Sequence, residues 1–219
     1  MLFRGISDTS RNESPIHCWI GGFESNVGKT TLLCDLLREF PAWEAIKTAR
    51  GHYRSCGKDP HACCVSHLLS EEPLILSGKR ETYSDGKDTG RYWSAGASNV
   101  HWLIVTEGQV EKGIKEVLER VKSPGVLIEG NSFAKFVKPD YFVMVARNDS
   151  KRMKTSAKQT LELASAIVLT DTDIDEGLHR QRTFEGSTKP KKVYSPLELR
   201  DLISEIRLAA QREDSEASL

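Results

Sequence analysis

The chain has 219 residues, with 31 Lys or Arg and 31 Asp or Glu, so its formal net charge is zero. This balance argues against a nucleic-acid surface, and no apolar run approaches the ~20 residues of a membrane-spanning helix. Residues 1–14 are polar and lack the apolar core of a signal peptide, so we expect a cytoplasmic protein.

Short apolar runs alternate with helical patterns along the chain. The runs predict strands over 16–21, 43–49, 100–106, 125–128, 141–146, 166–169 and 191–194. Helical spacing predicts helices that begin after the first strand, near 91, 110, 154 and 196. This order predicts a three-layer α/β P-loop NTPase fold, in which a mostly parallel sheet has helices on both faces.

One folded unit accounts for most of the chain. We assign residues 16–210 to a nucleotide-binding domain, with a Cys/His-rich insertion at about 50–80. A flexible lead over 1–15 and a flexible tail over 211–219 flank it, because both are polar and have little to bury. Asp88 or Thr89 is expected to cap the short helix over 91–97.

A glycine-rich loop joins the first strand to the first helix, and it reads Gly22-Phe23-Glu24-Ser25-Asn26-Val27-Gly28-Lys29-Thr30-Thr31. The amides of such a loop and the positive end of the helix bind phosphate. Lys29 can reach the terminal phosphates, and the Thr30 hydroxyl can ligate Mg²⁺. The predicted nucleotide-binding residues of the loop are Gly22, Ser25, Asn26, Val27, Gly28, Lys29, Thr30 and Thr31.

Three further residues lie at or near the carboxyl ends of predicted strands, where ligands of parallel sheets bind. Glu129 can hold Mg²⁺ or position a water, which makes it a metal ligand and, with Lys29, a catalytic candidate. Lys47 would offset phosphate charge, provided that its strand lies next to the first. Asp173 would read guanine, because a carboxylate accepts two parallel hydrogen bonds from that base; an acidic turn is the alternative.

The insertion is rich in soft ligands. Cys56, Cys63, Cys64 and His61 are residue types that bind Zn²⁺ or an iron–sulfur cluster. Their spacing is not that of a CxxC pair, and small cysteines packed in a loop with histidines at the surface are the alternative.

Several stretches resemble the molybdopterin-guanine dinucleotide biosynthesis accessory proteins, known as the B protein of that pathway. The matching residues are Ser25 to Thr31, Ile46-Lys47, Gly86-Lys87-Asp88-Thr89, Arg91, Ala95-Gly96-Ala97 and Glu129-Gly130. The resemblance implies a Mg-dependent, weakly hydrolysing GTP-binding protein that assists attachment of a nucleotide to molybdopterin. It also implies a homodimer and a partner enzyme of cofactor biosynthesis.

Two rival functions remain open. A metallochaperone GTPase would carry its metal on the Cys/His insertion. An ATP-dependent ligase is the other rival, because the loop spacing also resembles dethiobiotin synthetase; Tyr83, Lys87 and Arg91 would then bind its acceptor. A binding module without turnover is a third alternative.

Overall fold

The computed structural model describes residues 14–51, 65–148, 152–171, 182–184 and 187–216. The proposed metal ligands Cys56, His61, Cys63 and Cys64 lie outside these residues, as does Asp173. Most of the predicted lead over 1–15 and the end of the predicted tail also lie outside them.

Nine strands of the described chain form one sheet in the order β3-β4-β2-β5-β1-β6-β7-β9-β8. The strands are β1 (Ile16–Gly22), β2 (Glu44–Arg50), β3 (Leu74–Ser77), β4 (Val100–Val105), β5 (Gly125–Glu129), β6 (Tyr141–Ala146), β7 (Ala166–Leu169), β8 (Arg182–Phe184) and β9 (Lys191–Tyr194). Only β3 and β8, at the two edges of this sheet, run antiparallel to their neighbours. The predicted α/β fold, a mostly parallel sheet with helices on both faces, is confirmed.

Six α-helices cover the described sheet. They are α1 (Lys29–Glu39), α2 (Lys79–Thr82), α3 (Asp88–Ser94), α4 (Val110–Leu118), α5 (Thr155–Thr160) and α6 (Leu199–Glu216). Helices α1, α3 and α6 contribute to one apolar core, and α4 and α5 contribute to the other. Alternate residues of β1 enter opposite cores, as the pleat requires: Cys18 and Ile20 lie in the first, and Trp19 in the second. No described helix is both long and apolar enough to cross a membrane.

Four local predictions differ from the structure. Strands β3 and β8 were not predicted, because a short edge strand carries little periodicity. Helix α6 continues past the predicted end at 210 to Glu216. Neither Asp88 nor Thr89 caps α3: the N-cap is Lys87, and no side-chain hydrogen bond caps this helix. The strand next to β1 on the side of β2 is β5, so Lys47 does not lie on a neighbour of the loop strand.

A buried polar cluster joins β2, β3 and β4 at the opposite end of the sheet from the loop. Glu44 Oε2 lies 2.6 Å from His101 Nε2, and His101 Nδ1 lies 2.8 Å from Ser77 Oγ. The amides of Lys122 and Ser123 donate to Glu44 Oε1 over 2.8 and 3.0 Å. The side chains of Glu44 and His101 are buried, so each depends on these partners.

The cluster predicts an acid-sensitive contribution to stability. Burial alone would raise the pKa of Glu44, but hydrogen bonds from His101, Lys122 and Ser123 outweigh it and hold the pKa below its usual range. The unfolded chain then takes up the proton first as pH falls, so this contribution is present above about pH 4.3 and is lost below it. We expect the urea midpoint of the wild type to fall more steeply between about pH 5 and 3 than that of Glu44→Gln. Parallel curves, followed by tryptophan fluorescence, would contradict this.

Candidate functional site

The glycine-rich loop enters α1 through two residues with left-handed backbone. Gly28 has φ +92°, and Asn26 has φ +58°, a left-handed conformation that turns loop amides inward. A Cβ at Gly28 would lie 3.0 Å from Thr170 Cγ2, so glycine is needed there for both space and backbone conformation. Helix α1 has no acidic residue in its first turn to compete for the amides.

A polar cavity of about 390 Å³ lies above this loop. Its lining comprises Ser25, Asn26, Gly28, Lys29, Thr30, Thr31, Lys47, Asp88, Arg91 and Glu129. Most of the predicted site residues therefore meet in one place. Gly22 and Val27 do not line it: Val27 is buried in a core, and Gly22 is buried at the end of β1. Of the three ligase candidates, Arg91 lines this cavity, whereas Tyr83 and Lys87 do not.

Glu129 is the centre of the hydrogen-bond network at this cavity. Its Oε1 accepts from Lys47 Nζ over 2.7 Å, and its Oε2 accepts from Thr30 Oγ1 over 2.9 Å and from the hydroxyl of Tyr92. Tyr92 is fully buried, and burial together with Glu129 raises the pKa of its phenol well above the usual value. The tyrosine therefore remains a donor that fixes the orientation of the carboxylate.

Lys47 lies at the site because of a strand pairing that the sequence analysis did not predict. Strand β2 pairs with β5, and this register places Lys47 directly beside Glu129. Its Nζ also lies 2.5 Å from Asp88 Oδ2. Burial alone would lower the pKa of Lys47, but Glu129 and Asp88 outweigh it, so the pKa is raised. Lys47 is thus a stably charged partner of two acids.

Asp88 serves this cluster instead of capping its helix. As the first residue of α3, it pairs with Lys47 and lies within hydrogen-bond reach of Thr30. Burial would raise the pKa of Asp88, but the hydrogen bond from Lys47 outweighs it and the pKa is lowered. The stretch Gly86-Lys87-Asp88-Thr89 marked this region in the sequence. The contact of Asp88 with Lys47 of β2 can be identified only from the fold.

Two further lysines carry positive charge at the loop. Burial lowers the pKa of Lys29, with Glu129 opposing that effect and Lys154 adding to it. Lys154, at the N-cap of α5, donates to Ser25 Oγ over 2.6 Å, and its amide donates to the carbonyl of Phe23. Sequence reasoning missed Lys154, because no motif marks a residue brought to the loop from beyond β6.

The oxygen ligands fit a hard divalent cation. Thr30, Asp88 and Glu129 supply one hydroxyl and two carboxylates, and Mg²⁺ commonly takes one or two carboxylates together with phosphate oxygens and water. Within the described ranges, no group of three or more His, Cys, Asp or Glu side chains could hold a metal. Cys18 and Cys34, which lie in those ranges, are free and buried.

Gly130 lets the ends of β2 and β5 approach each other. Its φ is +154°, and a Cβ there would lie 2.1 Å from Thr48 Oγ1. That hydroxyl donates to the carbonyl of Glu129 over 2.5 Å. The contact with Thr48 is therefore a reason for glycine at this position within the protein itself.

Asn131 ties the end of β5 to the start of the loop. Its Oδ1 accepts from the amide of Gly22 over 2.7 Å, and its Nδ2 donates to the carbonyl of Gly22 over 2.8 Å. These two hydrogen bonds fix the position of Gly22, at the start of the loop, relative to the end of β5. Nothing in the sequence pattern distinguished this asparagine.

Loss of this tether is expected to weaken nucleotide binding. In Asn131→Ala, two hydrogen bonds of about 1 kcal/mol each are lost, so we expect affinity to fall by roughly 30-fold. Asn148→Ala, an exposed asparagine on a neighbouring loop, is the control and should bind like the wild type. Fluorescence titration with a labelled nucleotide measures both. Equal affinities for the two variants would show that the tether does not position the loop.

A second, mostly apolar cavity of about 260 Å³ adjoins the first. The two share Gly28 and Thr31, and the second is also lined by Leu32, Asp35, Val168, Thr170, Ser195, Pro196, Leu199 and Leu202. It lies between α1, the end of β7 and the start of α6. Nearby, Asp171 accepts from the amide of Asn148 over 2.5 Å, and this bond holds the pKa of Asp171 below its usual range.

No protein-family model matches the chain, and no curated protein sequence matches it. Among solved structures, an "apo" form of LpxK from Aquifex aeolicus in complex with ATP is similar, with 16% sequence identity and a TM-score of 0.47. The similarity covers 83% of this chain and 53% of LpxK, so the chain spans about half the length of that protein. A similarity at this level carries no argument about what the chain binds or does.

Proposed function

We propose that this chain binds a magnesium nucleoside triphosphate, prefers GTP to ATP, and hydrolyses it weakly. The observation that carries the proposal is one cavity that combines Lys29 and the loop amides with the oxygen atoms of Thr30, Asp88 and Glu129. Anion donors and ligands for a hard cation therefore lie side by side, as a metal-chelated polyphosphate requires.

Each group has a distinct task in this proposal. The loop amides and Lys29 hold the terminal phosphates, while Thr30, Asp88 and Glu129 hold the metal. Bound Mg²⁺ neutralises the charge that develops on the transferring phosphoryl group. Both oxygens of Glu129 accept hydrogen bonds, from Lys47, Thr30 and Tyr92, so neither is free to take a proton from an attacking water. Hydrolysis without a dedicated base is expected to be slow.

The apolar cavity is the proposed place of the nucleoside. It continues from the phosphate cavity through Gly28 and Thr31, and its wall includes Thr170 at the end of β7. Asp173 follows Thr170 closely in the sequence, and a carboxylate there would accept two hydrogen bonds from guanine. This argument supports GTP as the preferred nucleotide.

Comparative titration with GTP and ATP tests the proposal. We expect the wild type to prefer GTP at least about tenfold, a difference of ~1.4 kcal/mol or more. Asp173→Ala should remove that preference, whereas the matched control Asp175→Ala should keep it. An ATP preference that Asp173→Ala leaves unchanged would contradict base reading by Asp173. Failure to bind either nucleotide would contradict the whole function.

The biological role follows from the family resemblance. We infer that the chain assists molybdenum-cofactor maturation in the cytoplasm, as a homodimer, with molybdopterin and a nucleotide-attaching enzyme as partners. The Gly-Lys-Asp-Thr stretch supports this, because its Asp88 joins the proposed metal site. Added to that enzyme, the wild-type chain should raise the yield of the nucleotide-bearing cofactor, whereas Lys29→Ala should not. An equal yield from both would contradict the role.

A further inference from the structure

Lys47 bridges the two acids of the proposed metal site. Its Nζ lies 2.5 Å from Asp88 Oδ2 and 2.7 Å from Glu129 Oε1. Its side chain is 19% exposed and that of Glu129 is 5% exposed, so water screens the pair with Glu129 only weakly. A divalent cation shared by these two carboxylates would compete with the ammonium for the same oxygens.

Lys29 and Lys154, the other two lysines beside the loop, do not pair with carboxylates as Lys47 does, as far as the described residues show. Among described residues, the hydrogen-bond partner of Lys29 is the carbonyl of Glu24 at 3.4 Å, and that of Lys154 is the hydroxyl of Ser25. Neither lysine has a salt bridge to a described carboxylate. Lys29 and Lys154 can therefore receive an anion without losing an ion pair, whereas Lys47 must exchange partners.

We propose that Lys47 is a built-in counter-ion that keeps divalent metal out of the site until a polyphosphate arrives. A bare cation would have to displace a half-buried ammonium from two carboxylates and leave that charge without a partner, which is costly. A polyphosphate offers Lys47 a replacement acceptor, so both acids become available to the metal. Metal and nucleotide binding are then coupled, and by linkage each increases the affinity of the other. This inference rests on the proposed function.

Mn²⁺ binding to the full chain without nucleotide tests the idea directly. Electron paramagnetic resonance of free Mn²⁺ gives the affinity. We expect weak binding by the wild type and at least about tenfold tighter binding by Lys47→Met, because two acids lose a cation at contact distance. Lys154→Met removes one positive charge beside the glycine-rich loop, but Lys154 has no salt bridge to either acid, so this change should alter the affinity by less than about threefold.

Two further variants separate this account from a folding defect. Lys47→Gln has a neutral amide in place of the ammonium and should show the same gain. Adding Glu129→Gln to Lys47→Met should remove the gain, because the metal then loses a ligand. Circular dichroism verifies that each variant is folded. An unchanged Mn²⁺ affinity in both folded Lys47 variants would overturn the proposal, as would an equal gain in Lys154→Met.

The coupling itself is measured with labelled GTP. Mn²⁺ should tighten GTP binding by a larger factor in the wild type than in Lys47→Met, because only the wild type exchanges an ion pair. Equal factors would overturn the proposal. If the wild type bound no nucleotide, the proposed function would fail, yet the nucleotide-free Mn²⁺ comparison would still decide the role of Lys47.

Discussion

Lys29→Ala is expected to weaken binding of a magnesium nucleoside triphosphate by at least about 100-fold. An ammonium about 4 Å from one phosphate charge is worth about 4 kcal/mol at an intermediate dielectric, and this corresponds to roughly a thousandfold in affinity. Lys29 is partly buried, which reduces solvent screening, and its only hydrogen-bond partner among the described residues is a carbonyl at 3.4 Å. Its charge is therefore available to a phosphate. Fluorescence titration at fixed Mg²⁺ gives the affinity.

Substitutions of two other lysines provide the comparison for Lys29→Ala. Lys154→Ala should weaken binding by roughly tenfold, because its ammonium is exposed and better screened, and its hydrogen-bond partner in the described part of the chain is the Ser25 hydroxyl. Lys158→Ala, one turn further along α5 and exposed, is the matched control and should have no effect. If Lys29→Ala bound nucleotide as tightly as Lys158→Ala, the loop would not be a phosphate site.

Glu44→Ala is expected to lower the free energy of unfolding by about 3–5 kcal/mol, because it leaves a buried polar cluster without its acceptor. His101 Nε2 and the amides of Lys122 and Ser123 all lie within hydrogen-bond distance of this carboxylate. Without the Glu44 carboxylate, the His101 ring and these two amides lose their hydrogen-bond partner. Urea unfolding followed by tryptophan fluorescence measures the change.

A surface glutamate provides the comparison. Glu119→Ala removes an exposed carboxylate near the end of α4 and should change stability by less than about 0.5 kcal/mol. At temperatures where both variants are folded, each should bind nucleotide normally, because Glu44 lies at the start of β2 and the loop lies at the other end of the sheet. A cost of under about 1 kcal/mol for Glu44→Ala would show that the cluster is not interdependent.

The interior of the fold could be predicted from the sequence because buried parallel strands are continuous apolar runs. All seven predicted strands are present. The antiparallel edge strands β3 and β8 escaped prediction, since they are short and their sequences carry no distinctive period. The sequence also does not identify His101 as the partner of Glu44, because their contact depends on the pairing of β2 with β4.

The site was predictable where one local stretch determines it. The loop from Gly22 to Thr31 and the strand-end Glu129 needed only the order of strand, loop and helix. Lys47 was predicted at the site for the wrong reason, and the register with β5 is what brings it to Glu129. Asp88 was assigned to a helix cap because its actual partner, Lys47, is distant in sequence. Tyr92 and Lys154 likewise depend on contacts that no local pattern encodes.

A crystal structure of the chain with Mg²⁺ and a non-hydrolysable GTP analogue tests the central claim most directly. We expect the β- and γ-phosphates to accept hydrogen bonds from the amides of residues 26–30 and from Lys29. The metal should contact Thr30, and Lys47 should have moved from Glu129 to a phosphate oxygen. A nucleotide bound elsewhere on the chain, with the cavity above Gly28 closed to it, would contradict the account.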